Sequence, residues 1–403
     1  MRRLLACLMV LMLTLNAGAA FAAEGGRAVI PELNNIYQFD VPDNDALAFT
    51  RKLKIGWNLG NTFDAHNDGK VRDEMSIESS WVGVKTTQAM IAAVHDAGFN
   101  TIRIPVSWHN HVDADFTISE KWLSRVQEVV DWAIDLDMYV ILNTHHDVYP
   151  QYYYPSPEHY ETSARYIGTI WAQLAARFAD YDEHLIFESM NEPRLKDTPL
   201  EWWFDASNQQ GLDSAECINK LNQVFVDTVR AGGGNNPQRY LMVPGYCASP
   251  DFDCAAYFRL PEDTAEGKLI VSAHAYTPYA FALDAAGTKK FNAFGAGDMR
   301  EISSFMNNLY KTFVAKGVPV VIGEFGARDK DGNLQARVDF AALYVASASA
   351  RGIPCCWWDN NLFSGNGERF GLLNRRNLTW EDPEIVEAMM RYAGYDKYPA
   401  RPE

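Results

Sequence analysis

Two glutamates of the sequence each end a short apolar run, and together they could cleave a glycosidic bond. Glu192 lies in the segment FESMNEP (187–193), and Glu324 lies in IGEFG (322–326). Such cleavage needs a carboxylic acid that protonates the leaving oxygen and a carboxylate that attacks the sugar or stabilises its developing charge. Either glutamate alone would more often be an ordinary ion-pair partner. Both in these contexts, with Asn191 directly before one of them, predict an acid and nucleophile pair.

Other polar and aromatic residues follow apolar runs of the same kind elsewhere in the chain. They are Asn58, Asn61, Arg103, His145, His146, His274, Tyr276, Trp357 and Trp358. An arginine, histidines, a tyrosine and tryptophans beside two carboxylates are the groups that a polysaccharide-cleaving cleft requires. Because the two glutamates would have opposed tasks, we expect cationic and hydrogen-bonding support around Glu324 and a protonated Glu192 in the free enzyme.

A repeating pattern of short β-branched runs and longer helical segments carries these residues. In the helical segments apolar residues return every three or four positions; they are 86–97, 120–136, 163–178, 217–231 and 338–350. The predicted strands are 55–61, 101–107, 139–147, 185–193, 240–246, 269–276, 319–327 and 353–360. Eight strands alternating with helices predict an α/β fold, a (β/α)8 TIM barrel in a single domain. No Gly-x-Gly-x-x-Gly follows any strand, which disfavours a dinucleotide-binding fold.

The carboxyl ends of the strands form the active face of such a barrel, so the polar residues above should converge there. Glu188 lies earlier on the strand that carries Glu192, and we expect it to form a structural ion pair inside the barrel. His146 is a weaker candidate than His145, because successive residues of a strand point to opposite faces.

Six segments resemble, in order, the signature motifs of glycoside hydrolase family 5, the large cellulase family. They are GWNLGNT (56–62), TIRIPV (101–106), NTHHD (143–147), MNEP (190–193), HAY (274–276) and GEFG (323–326). The resemblance extends from about residue 53 to residue 376. The segment WWDN (357–360) resembles the corresponding motif of the family's endoglucanase and xyloglucanase branch. One motif alone would be only moderately specific, but six in the family's order are strong.

The resemblance implies a retaining endo-β-1,4-glucanase in which Glu192 is the acid/base and Glu324 is the nucleophile. Arg103 and Tyr276 would hydrogen-bond Glu324, keeping it ionised and holding its attacking oxygen. Asn191 would bind the 2-hydroxyl of the sugar being cleaved, an interaction that strengthens in the transition state.

The same resemblance places two histidines and a tryptophan around the sugar that is cleaved. His145 and His274 would line its subsite, with His274 close to the acid/base. Trp358 would stack on the sugar ring, whereas Trp357 would point into the barrel wall. Further aromatic residues could extend the cleft: Trp81, and Trp202 and Trp203 in the segment 194–213, which we expect to be an extended loop.

The beginning of the chain predicts export. Arg2 and Arg3 precede an apolar run that ends in small residues, which is typical of a signal peptide, here 1–22. The run is shorter than the ~20 residues of a membrane-spanning helix. We therefore expect a secreted protein, extracellular or periplasmic, without membrane association after cleavage, in which an N-terminal extension (23–45) precedes the catalytic barrel (46–403).

The net charge of the chain limits which molecules it can bind. The formal charge of −16 repels phosphate backbones, so nucleic acid is an improbable partner, whereas a neutral β-glucan polysaccharide or oligosaccharide is compatible. We predict no cofactor, no metal site and a monomer.

Five cysteines follow the predicted signal peptide, and their odd number leaves at least one thiol unpaired in a monomer. Cys247 and Cys254 could form one disulfide. The adjacent Cys355 and Cys356 suggest a buried, reduced site.

Several alternatives remain open at this point. Xyloglucan, mixed-linkage glucan, mannan or xylan could be the substrate, because specificity on such a scaffold lies in the loops. A non-catalytic carbohydrate-binding protein is disfavoured by the presence of both glutamates together with Arg103, Asn191 and Tyr276. A metal-dependent barrel hydrolase would need His-x-His on the first strand, which carries Asn58 and Asn61 instead.

Overall fold

The computed structural model describes residues 27–69 and 73–401. Eight parallel strands close into a barrel in sequential order, and β1 pairs with β8. They are β1 (Ile55–Leu59), β2 (Thr101–Ile104), β3 (Tyr139–Asn143), β4 (Leu185–Glu188), β5 (Leu241–Pro244), β6 (Leu269–His274), β7 (Val320–Phe325) and β8 (Cys355–Asp359). The predicted (β/α)8 barrel is confirmed. The strands are shorter than predicted. Arg103, His274 and Glu324 still lie within strands, whereas His145, Glu192 and Tyr276 belong to the loops that follow them.

Ten α-helices surround or cap the barrel in the described residues. They are α1 (Asp45–Lys52), α2 (Gln88–Asp96), α3 (Glu120–Ile134), α4 (Tyr160–Arg177), α5 (Gln209–Arg230), α6 (Phe252–Tyr257), α7 (Tyr279–Ala282), α8 (Ala296–Thr312), α9 (Leu334–Ser349) and α10 (Pro383–Tyr392). Short 3-10 turns occur at Glu74–Ser79, His109–His111, Pro157–His159, Asn236–Gln238, Tyr246–Ala248, Val314–Lys316 and Tyr395–Lys397, and a two-stranded hairpin is formed by β9 (Leu373–Asn374) and β10 (Thr379–Trp380). None of these helices has the length and apolar character needed to cross a membrane.

The helices form where apolar residues recur on one face. In α3 the buried residues Trp122, Val126, Val129 and Ala133 return every three or four positions, and they pack into the main core between helices and strands. Helix α5 begins at Gln209, earlier than predicted, because Asn208 caps it by accepting a hydrogen bond from the backbone of Gln210. The predicted loop 194–213 is therefore shorter than expected.

A second, smaller core fills the inside of the barrel. Ile141, Ile186, Met242 and similar inward residues of the strands meet there, whereas their sequence neighbours face the helices. Phe49 of α1 stacks on Tyr240 with ring centroids 3.5 Å apart, which closes the end of the barrel opposite the active face. The polar residues at the carboxyl ends of the strands therefore lie on a barrel whose interior and opposite end are filled by packed side chains.

The N-terminal residues that the structure describes lie against the barrel. The backbone of Phe39 donates to Ala350, and Gln38 pairs with Ala400 near the carboxyl terminus. The predicted signal peptide (1–22) lies outside the described residues. The domain boundaries at residues 23–45 and 46–403 remain predictions, although α1 begins at Asp45.

Candidate active site

Arg103 of β2 is the centre of a buried polar network at the carboxyl ends of the strands. Its guanidinium donates to Glu324 Oε1 at 2.8 Å, to Asn191 Oδ1 at 2.7 Å, to Glu188 Oε2 at 2.7 Å and to Asn58 Oδ1 at 3.0 Å. Neither Arg103 nor Glu188 has any exposed side-chain surface, so the predicted internal ion pair of Glu188 is confirmed. One planar cation therefore fixes the positions of four side chains that belong to three strands or their carboxyl ends, β1, β4 and β7.

Glu324 near the end of β7 is held by two hydrogen-bond donors. Tyr276 Oη donates to Glu324 Oε2 at 2.9 Å, and Arg103 binds the other oxygen. Burial and the charge of Glu324 raise the pKa of Tyr276 well above its usual value, so the phenol stays protonated and continues to donate. This is the arrangement that the sequence predicted around Glu324.

Glu192 follows β4 and faces Glu324 across a short gap. One oxygen of each carboxylate and one ring nitrogen of His274 lie within 4.8 Å of one another. His274 Nδ1 lies 2.8 Å from Glu192 Oε1 and 3.8 Å from Glu324 Oε2. The two glutamates and His274 thus form one compact group.

The protonation of Glu192 differs from the prediction. Burial would raise its pKa, but the hydrogen bond and charge of His274, together with the charge of Arg194, lower it overall. Burial would likewise lower the pKa of His274, but the charge of Glu324 and the hydrogen bond to Glu192 raise it. The lowered pKa of Glu192 contradicts the expectation of a protonated Glu192 in the free enzyme, and its cause is the hydrogen bond and charge of His274, whose own pKa is raised. A sequence motif does not reveal such a partner from another strand.

Gly323 leaves room for this packing. A Cβ atom at this position would lie 3.0 Å from His274 Nε2 and 3.4 Å from Arg103 Nε. The absence of a side chain next to Glu324 therefore lets both residues approach the carboxylate.

Two predicted sugar-binding residues, His145 and Trp358, lie side by side on the wall of the site. Their rings are parallel within 5°, with centroids 5.7 Å apart, and His145 Nε2 lies 4.0 Å from Glu324 Oε1. Trp358 is 7% exposed, whereas Trp357 is fully buried and donates its indole N–H to the backbone of Phe370. A flat face of Trp358 beside the carboxylates suits stacking against a sugar ring.

His146 was expected to turn away from the cleft, and the structure contradicts this. Strand β3 ends at Asn143, so the alternation of a strand does not extend to His146. Its ring centroid lies 4.4 Å from that of His145 and 5.9 Å from that of Trp81, and its side chain is 30% exposed. Burial, with the charge of His66, lowers the pKa of His146 to about 3, so the ring is neutral.

The more distant tryptophans lie on loops at the rim. Trp81 is 43% exposed, and Trp202 and Trp203 are 54% and 67% exposed. Trp202 and Trp203 line a cavity of about 290 Å³, and the guanidinium of Arg194 lies 4.1 Å from the ring centroid of Trp202. Arg194 also donates to the backbone carbonyl of Glu192, so one side chain contacts both Trp202 and the residue that carries one of the two carboxylates.

The part of the sequence that contains most of these site residues matches a known protein family. The family model for cellulase (glycosyl hydrolase family 5) matches residues 64–364. The chain belongs to glycoside hydrolase family 5. It is therefore a glycoside hydrolase, and the predicted resemblance is confirmed.

Relatives of this family 5 enzyme include endoglucanases and a lichenase. Endoglucanase 1 of Ruminococcus albus is 42% identical over 391 residues, which cover 95% of this chain and 91% of the relative. A solved family 5 lichenase from Caldicellulosiruptor sp. F32 is 56% identical, with a TM-score of 0.89, over 91% of this chain and 100% of that one. A broad-specificity endoglucanase from Ruminococcus champanellensis with bound cellotriose is 44% identical, with a TM-score of 0.81, over 87% of this chain and 100% of that one.

The sequence did not predict the two residues of this family 5 enzyme that hold Glu188 behind the catalytic glutamates. Ser272 Oγ donates to Glu188 Oε1 at 2.6 Å, and Asn143 Nδ2 donates to Glu188 Oε2 at 3.1 Å. Both are polar residues within otherwise apolar strands, and that pattern could have identified them.

The cysteines of this family 5 enzyme are all free thiols in the described residues, including Cys247 and Cys254. The predicted burial and reduction of Cys355 and Cys356 are confirmed, and burial raises the pKa of Cys356 to about 12.

Proposed function

We propose that this enzyme is a secreted endo-β-1,4-glucanase that cleaves its substrate by double displacement with retention of configuration. Glu324 is the nucleophile and Glu192 is the acid/base. The approach of their carboxylate oxygens to within 4.8 Å carries this proposal. Retaining glycosidases hold the two carboxyl groups about 5–5.5 Å apart, whereas inverting enzymes need about 6.5–9.5 Å to admit a water molecule.

The hydrogen bonds support this assignment of the two tasks. Glu324 accepts from Arg103 and Tyr276, so its negative charge is stabilised and the attacking oxygen is oriented. Glu192 exchanges a proton with His274, so the hydrogen-bonded pair can deliver a proton to the leaving oxygen and take one from water afterwards. Asn191 Oδ1 is occupied by Arg103, so its amide NH2 group is free to bind the 2-hydroxyl.

In the first step the leaving oxygen takes a proton from Glu192 while an oxygen of Glu324 bonds to the anomeric carbon and the glycosidic bond breaks. In the second step Glu192 removes a proton from water, the water oxygen bonds to the same carbon, and Glu324 leaves. Trp358 and His145 hold the sugar at this position. Trp81 and the pair Trp202 and Trp203 bind sugars further along the chain.

Stereochemistry tests this proposal. Proton NMR of the first sugar released from a β-glucan oligosaccharide should show the β-anomer before mutarotation. Glu324→Ala should abolish turnover, and azide should restore it with formation of an α-glycosyl azide. Glu192→Ala should still form the glycosyl-enzyme from an activated aryl glycoside, which needs little protonation, and should release it slowly. An initial α-anomer from the wild-type enzyme would exclude retention.

The second candidate substrate is a mixed-linkage β-glucan. The solved structure that is 56% identical over the whole of its chain is a lichenase, and other solved relatives are broad-specificity endoglucanases. Initial rates on carboxymethyl cellulose, lichenan, xyloglucan, mannan and xylan, with product sizes, distinguish these substrates. A lichenan rate far above the cellulose rate would assign the mixed-linkage activity instead.

The proposed export rests on the predicted signal peptide. Expression of the full-length gene should yield a mature protein beginning at Ala23 or Glu24, as the mass of the intact chain in the periplasm or medium would show. An unprocessed chain in the cytoplasm would contradict it.

A further inference from the structure

A group of potential metal ligands lies at the rim of the barrel, outside the glutamate pair. A ring nitrogen of His66, a ring nitrogen of His109 and a carboxylate oxygen of Asp68 lie within 4.8 Å of one another. We call these three residues the rim triad. His66 and Asp68 belong to the loop after β1, and His109 begins a 3-10 turn after β2.

The rim triad contains two buried nitrogen atoms without hydrogen-bond partners. Among the described residues, His66 Nδ1 and His109 Nε2 have no partner, and the side chain of His109 is only 4% exposed. A buried polar atom of this kind is unfavourable unless something occupies its lone pair. His66 Nδ1 lies 3.5 Å from Asp68 Oδ1, so one unpaired nitrogen already faces a carboxylate.

The other nitrogen of His109 is held as in known metal sites. Its Nδ1 lies 2.7 Å from Asp147 Oδ1, an oxygen that also accepts the backbone N–H groups of Trp108 and His109. An acceptor carboxylate requires Nδ1 to carry the proton, so Nε2 of the neutral ring presents its lone pair. A carboxylate behind a ligating histidine fixes the ring and increases its basicity.

The two loops that carry the rim triad are locked together. The backbone N–H of Asn67 donates to Asn110 Oδ1 at 2.7 Å, and Asn110 Nδ2 donates to the backbone carbonyl of Asn67 at 2.9 Å. These neighbours of the triad residues fix the separation of the loops. Tyr149 Oη donates to Asp68 Oδ1 at 3.0 Å and so orients the carboxylate.

We propose that the rim triad binds a divalent transition-metal ion of the zinc type, with His66, His109 and Asp68 as protein ligands and water completing the coordination. Two imidazoles and one carboxylate suit Zn²⁺ or Co²⁺ better than Ca²⁺ or Mg²⁺, which prefer all-oxygen sites. Tetrahedral zinc places its ligand atoms about 3.4 Å apart. The pair His66 and Asp68 already has this separation, and Asp68, 75% exposed, can move to complete the site.

This ion is distinct from the catalytic machinery. Its ligands come from two separate loops, so no local sequence pattern indicates a metal site. The ion would join the β1 loop to the β2 loop next to Trp81, whose ring centroid lies 5.2 Å from that of His66. Lys196 opposes binding, because its ammonium lies 3.6 Å from the ring centroid of Tyr149 and its charge acts on both His66 and Asp68.

Titration of tag-free, metal-free protein with Co²⁺, followed by visible absorption, and with Zn²⁺, followed by calorimetry, tests the proposal. We expect one ion per chain and a rise in Tm at saturation. His109→Ala and Asp68→Asn should each weaken binding about tenfold or more, since each removes a ligand. Lys196→Gln should tighten binding several-fold, because it removes a nearby positive charge.

Matched variants separate the rim triad from other groups that could hold an ion. Glu192→Gln alters the group formed with His274 and Glu324, and His145→Ala alters the group formed with Asp64 and His146; both should bind the ion with unchanged affinity. His95→Ala, at an exposed pair with Asp96, is the surface control. Loss of binding in Glu192→Gln or His145→Ala, unchanged binding in Asp68→Asn, or the absence of a site in the wild-type protein would overturn the proposal.

Discussion

His274 Nδ1 lies 2.8 Å from Glu192 Oε1, and the side chain of His274 is only 2% exposed. The pKa of His274 is raised and that of Glu192 is lowered, so the two groups titrate together. The pair retains one proton up to a pH above the usual pKa of histidine.

Replacement of His274 by Asn should move the basic limb of the pH dependence of kcat/KM to lower pH. With His274, the proton needed for acid catalysis is lost only above the usual histidine range. Without it, Glu192 alone must hold the proton. Its pKa then rises, because burial is no longer opposed by His274, but a carboxylic acid ordinarily titrates about two pH units below an imidazole, so we expect the limb to remain at lower pH. Profiles measured on an aryl cellobioside would show the shift, with His95→Asn as the control. An unchanged basic limb in a folded His274→Asn protein would refute the shared proton.

Arg103→Lys should lower both activity and stability although it keeps the charge. A lysine ammonium cannot donate simultaneously to Glu188, Asn191 and Glu324 from the positions that the guanidinium occupies. We expect kcat to fall about a hundredfold through misplacement of the carboxylate, and stability to fall by about 1–3 kcal/mol through unsatisfied buried acceptors.

Kinetics and urea unfolding of Arg103→Lys would measure both effects. Arg125→Lys is a suitable control, because Arg125 also binds a buried glutamate, Glu78, but lies away from the active face. It should lose stability and keep its kcat. Equal kcat values for Arg103→Lys and the wild type would contradict the positioning of Glu324 by Arg103.

Tyr276→Phe should reduce kcat about ten- to a hundredfold without adding a new limb to the pH profile. It removes one hydrogen bond to a charged carboxylate, which contributes about 1.5–3 kcal/mol. The raised pKa of Tyr276 keeps the phenol protonated throughout the working range, so its loss changes the rate and not the titration. A kcat equal to that of the wild type across the pH profile would show that this hydrogen bond does not assist the reaction.

Gly323→Ala should lower kcat with little loss of folded protein. The added methyl would lie 3.0 Å from His274 Nε2, so the ring must move by a few tenths of an ångström away from its position beside the glutamates. Gly297→Ala, where nothing lies within 4 Å of the new Cβ, is the matched control and should keep full activity. Equal rates for the two variants would mean that the site tolerates displacement of His274.

The mature protein should show five titratable thiols when unfolded in denaturant without reductant. The structure has five free cysteines in its described residues, and no disulfide between Cys247 and Cys254. Titration with Ellman's reagent before and after reduction gives the count. Three thiols before reduction would mean that the disulfide considered from the sequence does form in an oxidising compartment.

The fold and the main site residues could be predicted from the sequence because both depend on local patterns. Apolar runs of strand length alternating with helical periodicity indicate a barrel, and the carboxyl ends of its strands form one face. Arg103 and Glu324 lie near the carboxyl ends of such runs, and Glu192 and Tyr276 follow them, so the topology brings all four to one face.

The tertiary structure decided what depends on contacts between distant segments. The pKa directions of Glu192 and His274 could not be predicted from either motif, because each pKa depends on the burial of the side chain and on charged groups from other strands. Likewise, the rim triad joins His66 and Asp68 to His109 from another loop, and no spacing in the chain reveals it. The sequence by itself determined which groups meet at the active face, since strand order and alternation are local properties. Only the folded structure decided their distances and protonation, because these depend on the packing of several strands at once.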